Sequence, residues 1–268
     1  MEYLGYFAAV LIGISLGLIG AGGSILTIPV LVYLIGIPAI HATSYSLFIV
    51  GAAALIGSLR YLRYNLICLK TVLVFGLPSV FSIFLTRKYI LHSIPDQLII
   101  AEGLSISKNS ALMILLAALM ILASISMIRK SKVIRVDGNR SNQQYSTFLI
   151  FQQGIIIGAL VGLVGAGGGF LIIPALVILA KLPMKKAVGS SLAIVAINSI
   201  IGFLSDFGVH DFNWNFILIF SGCAIFGVFL GGYFSKFISS VKLKPAFGWF
   251  ILIMALYILG KELLSGSL

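Results

Sequence analysis

The sequence predicts an all-α protein. It reads as a polytopic transmembrane helical bundle of about 8 transmembrane segments in two internal repeats, each opening on a glycine-broken helix or re-entrant hairpin. Three observations carry this. Apolar residues make up 60% of the 268-residue chain and charged residues 9%, where an ordinary soluble domain carries about 25% charged residues. The apolar residues fall in long runs separated by short charged clusters. And the chain matches itself without a gap over 48 positions.

The runs are 3–20, 24–36, 42–60, 68–87, 111–128, 147–165, 169–180, 187–205, 212–236 and 245–262. A spanning helix needs about 20 residues, and most of these runs qualify. Runs 24–36 and 169–180 are too short to cross alone, and each follows a glycine cluster. No run has a charge at its centre, as expected where each buried charge costs roughly 2.5–3.5 kcal/mol. Residues 96–109 are weakly amphipathic and read as an interfacial stretch or loop. The chain opens Met1-Glu2 and enters an apolar run directly, without a basic region or a small-residue cleavage site, so the first run reads as a mature helix.

The polar stretch 129–146 divides the chain into an N-terminal transmembrane repeat, 1–128, and a C-terminal one, 147–268. At an offset of 145 residues, 13–60 match 158–205 at 22 of 48 positions. The first copy reads Gly13, Gly17, Gly20-Ala-Gly22-Gly23-Ser24, then Pro29. The second reads Gly158, Gly162, Gly165-Ala-Gly167-Gly168-Gly169, then Pro174. Shared leucines are cheap in a membrane, but shared Gly and Pro at fixed spacing mark a duplication.

Loop charge gives the topology. The net charge of +11 is distributed as the positive-inside rule requires of a membrane protein, so nucleic acid is not an expected partner and the lipid bilayer is. Lys181, Lys185 and Lys186 form one basic loop and Lys236, Lys242 and Lys244 another, with Asp206 and Asp211 between them. Arg60, Arg63 and Lys70 form a third, and the linker carries five more basic residues. All of these go to the cytoplasmic side, which places the His41 loop outside and makes the two repeats inverted. Arg87 and Lys88 then fall outside, against the rule.

The glycine clusters are the sharpest chemical feature. Several glycines in five positions interrupt a helix, and within the bilayer such a break is tolerated only inside protein or along a cavity. The amides of a helix restarting at Ser24 or Gly169 lack intrahelical acceptors and carry the positive end of the dipole. Two such ends facing each other near the midplane form an anion site that needs no intramembrane Lys or Arg, and none is expected there. Candidate contacts from the breaks are Gly22, Gly23, Ser24, Gly167, Gly168 and Gly169. Ser44, Ser46, Ser190, Ser191 and Asn198 on the following helices are candidate side-chain donors, with capping and interhelical hydrogen bonding as their alternative roles. Gly13, Gly17, Gly158 and Gly162 read as helix-packing positions, and Asp206 as a solvated helix end.

Cys68 and Cys223 have neither metal-ligand nor redox spacing. There is no histidine cluster, carboxylate pair, nucleophile–base arrangement or phosphate-binding loop, so the sequence suggests no enzyme, cofactor or direct use of ATP.

The doubled Gly-x-x-x-Gly-x-x-Gly-Ala-Gly-Gly-Gly/Ser pattern with its following proline resembles the sulfite exporter TauE/SafE family. So do His41-Ala-Thr-Ser-Tyr-Ser-Leu and Lys186-Ala-Val-Gly-Ser-Ser-Leu. The resemblance spans essentially the whole chain. It implies a multi-pass transporter in the cytoplasmic membrane for a small anionic substrate, a sulfur-containing oxyanion or organosulfonate, without indicating which one, the direction or the oligomeric state. An anion channel and, further off, a membrane-embedded sulfur-handling enzyme are the alternatives.

Overall fold

The computed structural model describes residues 2–95, 97–101, 104–128, 147–178, 180–207, 212–234 and 240–264. The linker 129–146, Lys236 and Asp211 lie outside the described residues.

Among the described residues, ten helices follow the apolar runs closely. The first repeat has α1 (Glu2–Ile19), a composite segment α2 (residues 21–34), α3 (Ala39–Arg63), α4 (Leu69–Leu85) and α5 (Lys108–Ile128). The second has α6 (Thr147–Val164), α7 (Gly169–Ile178), α8 (Met184–Asp206), α9 (Trp214–Phe234) and α10 (Ser240–Leu264). Among the described residues, five spans are long and apolar enough to cross a membrane: α3, α4 continued through the turn that follows it to Ile90, α5, α8 and α9. A helix satisfies its own backbone, as hydrocarbon demands. The lipid-facing surface is apolar, with Phe7, Leu77, Phe81, Phe148, Phe226 and Phe229 all exposed. After α4, a π-helical turn (Thr86–Ile90) and Leu91–Ser93 carry the chain out to a short antiparallel hairpin, β1 (Gln97–Ala101) with β2 (Leu104–Ser107). That hairpin takes up the stretch the sequence leaves as interface or loop.

The duplication is structural. Paired helices start at residues 2 and 147, 39 and 184, and 69 and 214, a constant offset of 145. Pro38 and Pro183 both precede their helices in the same extended conformation, φ −53° ψ 141° and φ −55° ψ 142°. Packing repeats too. α1 lies on α9 as its mate α6 lies on α4, α3 lies on α9 as α8 lies on α4, and α3·α8 and α5·α10 are self-paired.

The contacts fix the helix directions. Between α3 and α8, Ser44 bonds Asp206, Gly51 faces Ser199 and Gly57 faces Leu192, so the two are antiparallel. Between α4 and α8, Ser79 bonds Asn198 and Arg87 bonds Asp206, so they are parallel. α9 runs with α3, pairing Gly57 with Val228 and the start of α9 with Tyr45. α1 runs with α9 (Gly13 on Ala224, Gly17 on Val228), and α6 runs with α4 (Gly154 on Phe75, Gly162 on Thr86). The start of α5 meets the start of α3 through Ile40 and Asn109, and Gly248 of α10 meets the end of α5. Every helix therefore runs opposite to its mate, and the repeats are inverted.

Two ends result. At the linker end, α5 finishes and α6 begins; Arg60, Arg63, Lys70, Lys181, Lys185 and Lys186 belong here. The hairpin end carries the starts of α1 and α3 and the β1–β2 hairpin. α1 and α2 form a helical hairpin that enters from the hairpin end and returns to it, with Gly23 against Ser15 and Leu16, and Gly5 against Ile35. Gly13, Gly17, Gly158 and Gly162 are packing positions, since a Cβ at any of them would overlap the backbone or side chain of the adjoining helix.

Candidate functional site

The second break is an irregular backbone turn. Gly165, Gly167 and Gly168 take φ of 73°, 68° and 73°, a region where a Cβ is costly. Gly165 closes α6 by donating to the Val161 carbonyl at 2.7 Å, and α7 restarts with Leu171 and Ile172 donating to the Gly168 carbonyl at 2.9 and 3.0 Å. Of the first amides of α7, those of Gly169 and Phe170 precede these bonds and have no intrahelical acceptor. Gly167 faces Val50, Val195 and Ser199, and the Ser199 hydroxyl lies 3.1 Å from where a Cβ on Gly167 would stand. That hydroxyl is fully buried and has no hydrogen-bond partner.

The first break winds differently. Gly20 has φ 81°, and the chain then forms a 3-10 turn (Ala21–Leu26) holding Gly22, Gly23 and Ser24. One α-helical step (Thr27–Pro29) and a π-helical turn (Val30–Leu34) follow. No regular helix starts at Ser24. Ser24 is buried, and the buried Thr27 hydroxyl has no partner. The breaks also begin at different depths. Gly20 lies against Val188 near the start of α8, at the linker end, whereas Gly165 lies against Thr43 near the start of α3, at the hairpin end. They converge inward, where the 3-10 turn of α2 touches α7.

The side-chain candidates separate. Ser190 accepts from the Cys68 amide at 2.9 Å, tying α8 to the start of α4 in the other repeat, and Ser191 donates to the Val188 carbonyl within its own helix at 2.9 Å. Ser44 donates to Asp206. Asn198 accepts from the Ser79 hydroxyl at 3.0 Å, while its buried Nδ2 is unpartnered. The Ser46 hydroxyl is likewise buried and unpartnered.

The structure also overturns the expectation that no Lys or Arg lies inside the bundle, and with it the readings of two charged residues. Arg87 is fully buried instead of lying in an external loop, and Asp206 is 1% exposed instead of forming a solvated helix end. They form an ion pair inside the bundle. Nε of Arg87 donates to both Asp206 oxygens at 2.9 and 3.0 Å, and Nη2 donates to Oδ2. Nη1 donates to the Gly162 carbonyl at 3.1 Å, and Nη2 to the Thr43 and Ser44 hydroxyls, each at 3.1 Å. The physical reason is mutual. Neither charge could be buried alone, and together with two hydroxyls and a carbonyl they are neutralised and hydrogen-bonded. The apparent breach of the positive-inside rule at Arg87 disappears with the pairing.

A family-wide sequence profile described as Sulfite exporter TauE/SafE matches residues 5–258. The chain belongs to this family. A probable membrane transporter protein of Xylella fastidiosa is 28% identical over 260 residues, covering 94% of this chain and 92% of its own. The probable membrane transporter protein YunE of Bacillus subtilis is 27% identical over 235 residues, 80% of this chain and 81% of its own. A Methanocaldococcus jannaschii probable membrane transporter protein is 38% identical over 115 residues, 41% of this chain and 43% of its own. No solved structure matches. The protein is a multi-pass membrane transporter.

Two residues of this TauE/SafE protein escape sequence reasoning. Arg87 looks like the end of a spanning run beside Lys88, and only its offset mate, Gly232, hints that it is not a loop cation. Ser199 is hidden by its repeat mate Ala54, which makes it look like an unshared polar substitution in an apolar helix.

Proposed function

We propose that this transporter is a secondary carrier of a small anion, a sulfur-containing oxyanion or organosulfonate, bound where the second break meets α8. The observation that carries the reading is the buried, unpartnered Ser199 hydroxyl held against Gly167. A buried polar group without a partner costs about 1–3 kcal/mol, and such a cost persists where a ligand completes the hydrogen bond. Asn198 Nδ2, one residue earlier on α8, is a second unpartnered donor. The Gly169 and Phe170 amides, which open α7 ahead of its first helical bonds, add a third donor type with the favourable dipole sense. An oxyanion accepts from all three, and a neutral apolar solute accepts from none. The sulfur preference follows from the family description, not from the geometry.

Alternating access comes from a rearrangement of the interleaved repeats, 1–128 and 147–268, about the pseudo-two-fold axis that relates them. The linker 129–146 and the basic residues gathered at the linker end face the cytoplasm, in keeping with the positive-inside rule. The test is flux in proteoliposomes against sulfite, thiosulfate, sulfate, alkylsulfonates and carboxylates. Saturable uptake of one class, with counterflow when the lumen is preloaded, is the expected result. Saturable transport of cations or neutral solutes alone overturns the anion reading, and anion flux without counterflow makes the protein a channel.

A further inference from the structure

The Arg87–Asp206 pair is a part of the polar interior that the duplication does not repeat. At the offset of 145 the mate of Arg87 is Gly232 and that of Asp206 is Tyr61. Arg60, from α3, lies against Gly232. A guanidinium thus reaches the corresponding place near the linker end from a different helix, and a tyrosine stands there in the carboxylate's place. Both arginines come from the first repeat, and only the one at the hairpin end has a carboxylate set against it.

That carboxylate is gripped as a bound anion would be. Arg87 Nε, Arg87 Nη2 and the Ser44 hydroxyl all donate to its two oxygens. The guanidinium is fixed independently by Thr43 and by the Gly162 carbonyl, each at 3.1 Å. The grip therefore persists if the carboxylate leaves. Three donors converging on two oxygens of one centre suit a carboxylate, a sulfite or a sulfonate equally. Asp206 is the last residue of α8, followed by Phe207 in extended conformation (ψ 126°), so its side chain can swing away without unwinding a helix turn. Arg87 and Asp206 also belong to opposite repeats. Finally, the grip adjoins the second break: Thr43 accepts from Arg87 and packs on Gly165.

We propose that Arg87 and Ser44 form an oxyanion seat at the hairpin end, that Asp206 fills it with its own carboxylate in this state, and that a substrate oxyanion enters by displacing that carboxylate. The proposal rests on the anion reading above. Exchanging one anion for another keeps Arg87 neutralised at every step, which avoids an unpaired buried charge. It also gives the route a cation that the glycine breaks lack.

The experiment compares wild type, Asp206→Asn, and the double variant Arg87→Gln/Asp206→Asn. Sulfite and methanesulfonate are the probes, read by calorimetric binding and thermal unfolding in detergent and by proteoliposome flux. Asp206→Asn removes the competing anion, so its affinity for the probes rises about tenfold, as when the binding-competent fraction of a receptor is restored. Its thermal stabilisation by the probes rises with it, while maximal flux falls. The double variant holds a neutral amide pair, unfolds near wild type without anion, and loses probe-dependent stabilisation and flux. It keeps the test decisive if Asp206→Asn does not fold. Unchanged probe affinity in Asp206→Asn, or wild-type flux in the double variant, overturns the seat and leaves a structural staple. Wild-type protein that binds and moves none of the anions overturns the anion reading itself, a different result.

Discussion

Ser199 on α8 and Gly167 in the second break lie so close that a Cβ on the glycine would stand 3.1 Å from the serine hydroxyl. The missing side chain at Gly167 is what lets a buried, unpartnered hydroxyl face bare backbone. Replacing Ser199 by alanine therefore removes a group that contributes nothing to the fold. Ser199→Ala is expected to unfold at the wild-type temperature or above it. Its transport should suffer, because a hydrogen bond to a charged group is worth about 1.5–3 kcal/mol, a tenfold or larger loss in apparent affinity for the anion. Thermal unfolding and flux on the same preparation check both halves, and normal flux removes Ser199 from the site.

The breaks themselves are open to a harsher test. Gly168 has φ 73° and faces Val161, and Gly23 faces Ser15 and Leu16. Gly168→Leu and Gly23→Leu are expected to abolish transport while the protein still inserts in the membrane. Gly167→Ala is milder: a left-handed alanine costs roughly 1–2 kcal/mol, and its Cβ would stand 2.7 Å from Val50. It should insert and fold, with lowered stability and lowered flux together. Normal transport in the leucine variants rules out the breaks as part of the route.

The ion pair makes a thermodynamic prediction independent of substrate. Removing one partner strands a buried charge, at about 3–5 kcal/mol, whereas replacing both with apolar residues of similar size is often neutral. Arg87→Met and Asp206→Leu are each expected to lower thermal stability sharply. The double variant should recover most of the loss. Additive losses in the double variant would mean that the two side chains act separately.

Much of this architecture was legible in the sequence. Hydrocarbon forces helices, so apolar runs of spanning length read directly as elements, and Gly–Pro matches at one offset betray the duplication. The inversion was legible because the positive-inside rule acts on countable residues such as Arg60 and Lys186. What was not legible is pairing at long range. Arg87 and Asp206 are 119 residues apart in sequence, and each alone looks like a charge at a helix end. Their burial follows from α4 and α8 running parallel, which no local pattern encodes. The unequal winding of the two breaks was equally hidden. Ser24 differs from its mate Gly169 by one side chain, yet the 3-10 and π-helical turns of α2 have no counterpart in the regular helix α7.

Glycines offer a contrast between packing and tolerance. A Cβ at Gly13 would overlap the Ala224 carbonyl, so Gly13→Ala is expected to push α1 from α9 and destabilise the bundle by about 1–3 kcal/mol or more, as overpacking does. Gly222, on α9 in the same pair of helices, has nothing within 4 Å of such an atom. Gly222→Ala should raise stability by about 0.5–1 kcal/mol through helix propensity and leave flux unchanged. Thermal unfolding of the two variants in detergent distinguishes them.

Orientation in the membrane is the last consequence, and it depends on only a few exposed residues. Lys70 and Lys186 are exposed at the linker end, and Lys88 is exposed at the hairpin end, three residues after α4 gives way to its π-helical turn. If the linker end is cytoplasmic, as its basic residues require, then Lys70→Cys and Lys186→Cys are reached by a membrane-impermeant thiol reagent only in inside-out vesicles. Lys88→Cys is reached only in right-side-out vesicles or whole cells. The native Cys68, part-buried near the linker end, is first replaced by serine so that it does not contribute signal. Because Lys70 and Lys186 come from opposite repeats, the experiment reads the inversion as well as the orientation. Labelling of those two from opposite sides contradicts the inverted fold. Labelling of both from outside keeps the fold and reverses the assigned sides, which would put the Arg87–Asp206 pair at the cytoplasmic mouth.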